Sequence, residues 1–526
     1  MSWSSVSARC RNASGVRGAS QTYLHKSRLV PACGRSTSGG SLPSRLRGTA
    51  LSDSKRHPAS DRQQARHYGF GSFHKAELLP GALPTRQFSP IKPAYGLYPE
   101  LLSGTTFTAP RAKNRYTWMY RCRPSVKHDG QYQNGDHKLA KAVANHRWTT
   151  RPAMNPTSPS QFRFPRLEEP RGLTCDFLDG MVTLAVNGSG EKQQGAAASV
   201  YSCTQSMTRV FRNHDAEMMI IPQSGNLCVR TELGVLRLEP SEFALIPRGM
   251  VFRVEIDGDA AEGYVLENFG ALFQLPELGP IGISSGLAHP RHFVPAELEG
   301  NKELALDNAS KRLPQPTEII SKFQDSFFEA KTEFNAFDVV AYYGNYIPVK
   351  YDLRDFMAIN TVTYDHPDPS IGSVLSSYAD QSSGLANIDF VCFPPRYVVA
   401  ENTFRPPWFH RNFMSEFMGL IIGSYDAKKG FSPGASSIHN AFVPHGPDRA
   451  AVENASGKDP LTPERYENAL AFMWESNRVW KPTEFALKIV DKEYRKECGW
   501  SEIPDRFDPN NAPPDPQPRP FQGGSG

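Results

Sequence analysis

The side chains best suited to chemistry lie late in the chain. His410 and Glu416 stand six residues apart in HRNFMSE, and His445 follows in VPHGPD. Two imidazoles and one carboxylate make the donor set of a facial triad on non-haem Fe(II), which leaves three coordination positions open. Six residues of straight strand span ~20 Å, too far for two ligands of one ion. On a helix, residues six apart do not share a face. The chain must therefore bend between His410 and Glu416, with the ion inside the bend, as where a loop enters a strand at a barrel mouth. His439 competes with His445 for the third place, because both lie near the same turn. A buried, hydrogen-bonded histidine beside a surface glutamate would give the same spacing with no metal at all.

His366 sits in YDHPDPS between Asp365 and Asp368, and prolines on both sides of Asp368 stiffen the loop. An imidazole held near neutral pKa by such a loop suits a general base. A turn histidine capped by its neighbours reads equally well. His25, His57 and His67 belong to a basic N-terminal stretch. His74, His128, His137, His146, His289 and His292 are expected to be solvated.

These residues need a β scaffold. Gly225–Ile256 runs GNLCVRTELGVLRLEPSEFALIPRGMVFRVEI, short β-rich runs punctuated by Gly and Pro every ~8–10 residues, the rhythm of a sandwich or barrel. Phe252, Val254 and Ile256 share one face of the last run and Arg253 and Glu255 the other. The order of turns and strands is that of a small jelly-roll barrel of cupin type. Its stretch 218–256 holds no histidine, so this barrel is expected to be metal-free, a packing and oligomer element. A second set of strands is expected over about Asp338–His445. The best helix signal is Pro463–Ser476, with Thr462 as N-cap, Pro463 at the first helical position and Glu464 near the positive end. Residues 149–170, with five prolines, predict an extended surface connection.

The chain has 526 residues, 39% hydrophobic and 21% charged, which fits a globular protein of more than one core. Its longest apolar runs, such as Phe417–Gly423, fall far short of the ~18 residues of a membrane span. The net charge of +5 is uneven. Residues 1–67 hold 12 Lys/Arg against 2 Asp/Glu, leaving 47 basic and 52 acidic residues beyond. The body is thus mildly acidic, without the basic face a nucleic-acid partner needs. The Arg- and Ser-rich, acid-poor start has the composition of a mitochondrial transit peptide, or of a plain disordered tail. Eight scattered cysteines with no CxxC pair predict reduced intracellular thiols, with Cys228 and Cys392 as small core residues.

The strings YDHPDPSI (364–371), TFRPPWFHRNFMSEFMGLI (403–421) and GASSIHNAFVPHGPD (434–448) resemble homogentisate 1,2-dioxygenases. So do LSGTTFTAPRAKNRYTWMYRCRPS (102–125) and IIPQSGNL (220–227). The resemblance runs from about Tyr68 to the end of the globular chain and does not cover 1–67. It implies a mainly β, two-domain, cupin-type jelly-roll with few helices and one Fe(II) per subunit. Composition and resemblance together predict a partition into a disordered or targeting extension (1–67), an N-terminal β domain with a metal-free cupin-like barrel (68–350), a catalytic cupin-like domain carrying the iron (351–510) and a Pro/Gly tail (511–526). The activity implied is conversion of homogentisate and O2 to 4-maleylacetoacetate in phenylalanine and tyrosine catabolism. Carried over by position, His410, Glu416 and His445 are the iron ligands and His366 the active-site base. Tyr425 and His445 meet substrate, and His439 and Asn412 fall in the inner pocket. A ferrous ion on two neutral imidazoles and one carboxylate keeps a net charge near +1, which favours a phenolate oxygen. The resemblance further implies a homo-oligomer, trimer or hexamer, in the cytoplasm, with no nucleic-acid or membrane partner; the basic N-terminal stretch keeps a mitochondrial address open. The alternatives are a non-catalytic bicupin, or a related ring-cleaving dioxygenase acting on a gentisate-like substrate.

Overall fold

The computed structural model describes residues 69–129, 147–153, 156–167, 174–276, 288–309, 317–358, 372–397, 404, 408–425, 430–459 and 461–511. The chain divides into Met1–Gln63 and Gln64–Gly526, and every described residue belongs to the second unit. The expectations for 1–67, for His366 and for the tail after Asn511 lie outside the described residues.

The architecture is mainly β, as expected, and the helices among the described residues are short. A four-stranded sheet runs in the order His74–Glu77, Val339–Gly344, Tyr116–Arg121, Tyr98–Ser103. Beside it lies a twelve-stranded sheet. Its backbone is the antiparallel pair Glu217–Thr231 and Val251–Asn268, which slips register between Asp257 and Gly263. The strands expected in 225–256 are there, interrupted at Glu232–Leu233, at Glu239–Ser241 and by the Pro247–Met250 turn. Phe252 and Val254 are buried and Ile256 half-buried on one face, while Arg253 and Glu255 pair with each other across the other.

A six-stranded sheet carries His439 and Glu416. Its strands are β1 (Phe162–Phe164), β2 (Gly372–Asp380), β3 (Leu385–Phe393), β4 (Ser415–Gly423), β5 (Ser436–His439) and β6 (Ala469–Ser476), in the order β2-β3-β6-β4-β5-β1. Alternation along β6 splits the sheet into two faces. Leu470, Phe472 and Trp474 join the main core, while Ala471 and Met473 join a small apolar cluster with Val391, Phe393, Met418, Leu420, Phe431 and Ala435. The sheet is tied to the larger one by Tyr264, whose hydroxyl lies 2.9 Å from the carbonyls of both Leu420 and Ala435.

Four expectations fail. Pro463–Ser476 is no helix: Arg465–Tyr466 pairs with Arg396–Tyr397, and β6 lies between β3 and β4. The N-cap and Pro signals were local, whereas ALAFMWES is apolar on both faces, the signature of a strand covered on both sides. Residues 149–170 are more than a surface connection, because Phe162, Arg163 and Phe164 are buried in an edge strand on β5. His74 is buried, its Nε2 3.2 Å from the Gly69 carbonyl. Cys392 is buried as expected, but Cys228 is only half-buried; both thiols are free.

Candidate metal centre

β4 begins at Ser415, so Glu416 is its second residue and shares a face with Met418. That face carries the small apolar cluster. The β4–β5 register sets Glu416 directly opposite His439. Ahead of β4 the chain bends through Asn412–Met414, and His410 forms an isolated antiparallel bridge with His445. The two residues exchange both backbone hydrogen bonds: His410 N–H donates to the His445 carbonyl at 2.9 Å, and His445 N–H to that of His410 at 3.1 Å. This is the bend that the spacing of His410 and Glu416 demands.

The side chains of His410, Glu416 and His445 converge. One potential ligand atom from each lies within 4.8 Å of the others, and no second such group occurs among the described residues. His445 Nε2 is 3.1 Å and His410 Nε2 3.6 Å from Glu416 carboxylate oxygens. His439 Nδ1 is 3.5 Å from Oε2 of the same group. Asn412 Nδ2 donates to Oε1 at 2.8 Å. Glu416, His439 and His445 are buried, and His410 is the partly open edge of the cluster. Burial alone would raise the Glu416 carboxyl; when the surrounding imidazoles carry protons toward it, their hydrogen bonds outweigh burial and hold the group well below the usual carboxylate range.

The outer ring nitrogens show what the inner ones can do. His410 Nδ1 faces the Trp408 carbonyl at 2.8 Å, and His445 Nδ1 the Val443 carbonyl at 2.9 Å. A carbonyl only accepts, so each Nδ1 carries its proton and each Nε2 turns a lone pair inward. His445 Nε2 is buried without a hydrogen-bond partner although it lies 3.1 Å from Glu416, because a lone pair and a carboxylate oxygen repel. Only a cation between them, a proton or a metal ion, relieves that contact. Two imidazole lone pairs and one carboxylate, each oriented from behind, are a donor set that fits a divalent metal.

The other expected residues divide. Tyr425, just beyond β4, sets its half-buried ring edge-on to Phe393 and Phe431 against the small apolar cluster. Tyr494 escaped sequence reasoning: its hydroxyl is 3.0 Å from His439 Nε2. It comes from the short helix Tyr494–Glu497 within KEYRKECGW, where nothing local signals a site.

The sequence matches the family models described as homogentisate 1,2-dioxygenase N-terminal over residues 65–353 and C-terminal over 354–507. Among curated relatives, homogentisate 1,2-dioxygenase of Pseudomonas fluorescens is 46% identical over 442 residues, 84% of this chain and 97% of that protein. Homogentisate 1,2-dioxygenase of Pseudomonas putida is 44% identical over 452 residues, 84% of this chain and 98% of the relative. Solved structures that match include a cupin 2 conserved barrel domain protein from Leptotrichia buccalis, at TM-score 0.25 and 10% identity over 57% of this chain and 88% of that one; so partial a likeness carries no argument. Two family models that together span 65–507, and relatives this similar over nearly their whole length, place the chain in the homogentisate 1,2-dioxygenase family.

Proposed function

We propose that this chain is an Fe(II)-dependent ring-cleaving dioxygenase that converts homogentisate and O2 to 4-maleylacetoacetate. The observation that carries the metal half of this reading is the orphaned, inward-facing Nε2 of His445 beside Glu416. Family membership carries the substrate half. In this reading His410, Glu416 and His445 hold the ion. A ferrous ion there would supply open positions and redox chemistry for dioxygen and a phenolate side by side.

The chain's own residues do the rest. His366 accepts the phenol proton as the substrate docks. The apolar cluster on the Glu416 face, with Phe393 and Phe431, gives an aromatic ring a dry surface. Tyr425 at its edge, with His445, orients the ring's polar substituents, and Asn412 and His439 line the inner pocket while contacting Glu416. Both oxygen atoms of O2 end in the product, and the electrons come from the ring bond that breaks, so no external reductant is consumed. The metal chemistry belongs to 351–510, and 68–350 supplies packing and oligomer surface. We place the protein in the cytoplasm as a homo-oligomer, trimer or hexamer; sedimentation and a reporter fused to 1–67 test these two points.

The test is oxygen uptake with homogentisate, Fe(II) and ascorbate, followed at the absorbance of the maleyl product. His410→Ala, Glu416→Ala and His445→Ala should each lower iron content and abolish uptake while the β signal in circular dichroism persists. Uptake with a gentisate-like substrate alone would move the assignment to a related dioxygenase. Absence of both uptake and bound metal would leave a non-catalytic bicupin.

A further inference from the structure

His439 is fixed from behind. Its Nε2 is 3.0 Å from the Tyr494 hydroxyl, and its Nδ1 3.5 Å from Glu416 Oε2. Both partners are buried, Tyr494 at 2% and Glu416 at 6% exposure. Tyr494 is itself clamped. The Arg163 guanidinium lies over its ring, 4.7 Å from the centroid, and the Trp500 ring meets it edge-on at 5.8 Å. Arg163 also ion-pairs with Asp491 and Glu497, which flank Tyr494 in the chain. Asp491 N–H in turn donates to the Arg163 carbonyl at 2.8 Å. Arg163 stands on β1, the strand that pairs with β5 and so with the backbone beside His439. The C-terminal segment is thus pinned across the back of β5 with one hydroxyl aimed at one imidazole nitrogen.

We infer that Tyr494 is a positioning residue: its hydroxyl donates to His439 Nε2, which leaves the ring proton on Nδ1, facing Glu416 Oε2. His439 then steadies the carboxylate as a donor. Asn412 Nδ2 holds the other oxygen at 2.8 Å. Between the two donors Glu416 is kept turned toward His410 and His445. The same proton on Nδ1 removes the lone pair with which His439 could compete for the ion, so the third imidazole acts as an orienter while His445 stays a ligand. Burial pushes the Tyr494 hydroxyl well above its ordinary pKa and keeps its proton available for this bond. Without the hydroxyl, the ring is free to carry its proton on Nε2, and two acceptors then face each other across the Nδ1–Glu416 contact. Partners behind a metal ligand are typically worth about 10–100-fold in metal affinity.

This inference rests on the metal reading above, and the experiment separates them. Fe(II) affinity is measured anaerobically on the full chain by competition with a chelator, for wild type, Tyr494→Phe, His439→Phe and the double variant, with the melting temperature of each metal-free protein in parallel. Tyr494→Phe keeps the ring against Arg163 and Trp500, so the metal-free melting temperature should hold while Fe(II) affinity falls about 10–100-fold. In the His439→Phe background the further Tyr494→Phe change should shift affinity less than about twofold, because the hydroxyl acts through His439. Unchanged affinity in Tyr494→Phe overturns the inference. An equal loss in the His439→Phe background also overturns it, as does a Tyr494→Phe chain that fails to fold, since a positioning hydroxyl is dispensable to the metal-free fold. A wild type that takes up no Fe(II) defeats the metal reading itself.

Discussion

His410 and His445 hold each other by the main chain: each backbone N–H donates to the other's carbonyl, at 2.9 and 3.1 Å. Their rings lie 4.2 Å apart, centre to centre. Two side chains separated by 34 intervening residues are thereby fixed as a pair before any ion arrives. The main-chain spacing of these two candidate ligands is then set by backbone hydrogen bonds, which leaves only their side-chain rotamers to be fixed.

Gly446 guards that pair. A Cβ there would lie 2.5 Å from Phe409 Cδ1 and 2.9 Å from Phe409 Cα, so backbone must move. Phe409 is the residue before His410. Gly446→Ala should therefore displace His410 relative to His445 and weaken Fe(II) binding by about tenfold or more. Chelator competition reads this directly. Affinity within about twofold of wild type would show that the bridge tolerates the shift.

His366→Asn tests the proposed base apart from the candidate metal site. Iron content and substrate binding should stay near wild type, while kcat falls about 10²–10⁴-fold, the usual worth of general acid–base assistance. The acid limb of the kcat–pH profile should flatten with the imidazole gone. An unchanged acid limb with less than about tenfold loss would reduce His366 to a turn residue.

Stability outside the site turns on a buried ion pair. Lys322 and Glu267 are both wholly buried, with Lys322 Nζ 2.6 and 2.8 Å from the two carboxylate oxygens. Trp148 Nε1 and Asn213 Nδ2 donate to the same carboxylate at 2.8 and 2.7 Å. Lys322→Met strands that charge and should cost about 3–5 kcal/mol in denaturant unfolding. Adding Glu267→Gln should recover part of the loss; no recovery would mean that packing, not charge, dominates.

Glu217 predicts a pH dependence. Burial, against hydrogen bonds from Phe273 N–H and Asn268 and the charges of Arg248 and Arg115, raises its carboxyl from 4.5 to about 7. The folded chain therefore holds a proton that the unfolded chain has released between those values. Stability from this group is present below about pH 4.5 and is lost as pH rises toward 7. At ~1.4 kcal/mol per pH unit the full swing is on the order of 3 kcal/mol. Glu217→Gln should flatten denaturation midpoints across that window, and an unaltered slope would assign the dependence elsewhere.

What could be seen in the sequence was what depends on neighbours along the chain. Strand rhythm in 225–256 reflects turn chemistry and period-two burial, both local, and the structure follows it. The bend between His410 and Glu416 was forced by distance alone. Pro463–Ser476 misled because helix-start residues stand before a segment whose strand character comes from the partners on either side of it. The Phe162–Phe164 strand was hidden among flanking prolines and needs β5 to pair with. Tyr494 was illegible for a stronger reason: its role is a contact with His439, 55 residues earlier, and no spacing rule reaches that far.

The strand order of the six-stranded sheet has a consequence for synthesis on the ribosome. β4 and β5 form a hairpin that can pair as soon as both have emerged. One flank is then ready, because β1 at residues 162–164 has already emerged, but the other waits for β6 at 469–476. Until β6 slides between β3 and β4, the hairpin keeps an open edge, and Glu416 lacks the ladder neighbour that rigidifies it. The nascent chain thus carries all three candidate ligands for some time without a formed pocket. A chain that stops between His445 and about residue 476 therefore carries the three candidate ligands without the completed sheet that holds Glu416.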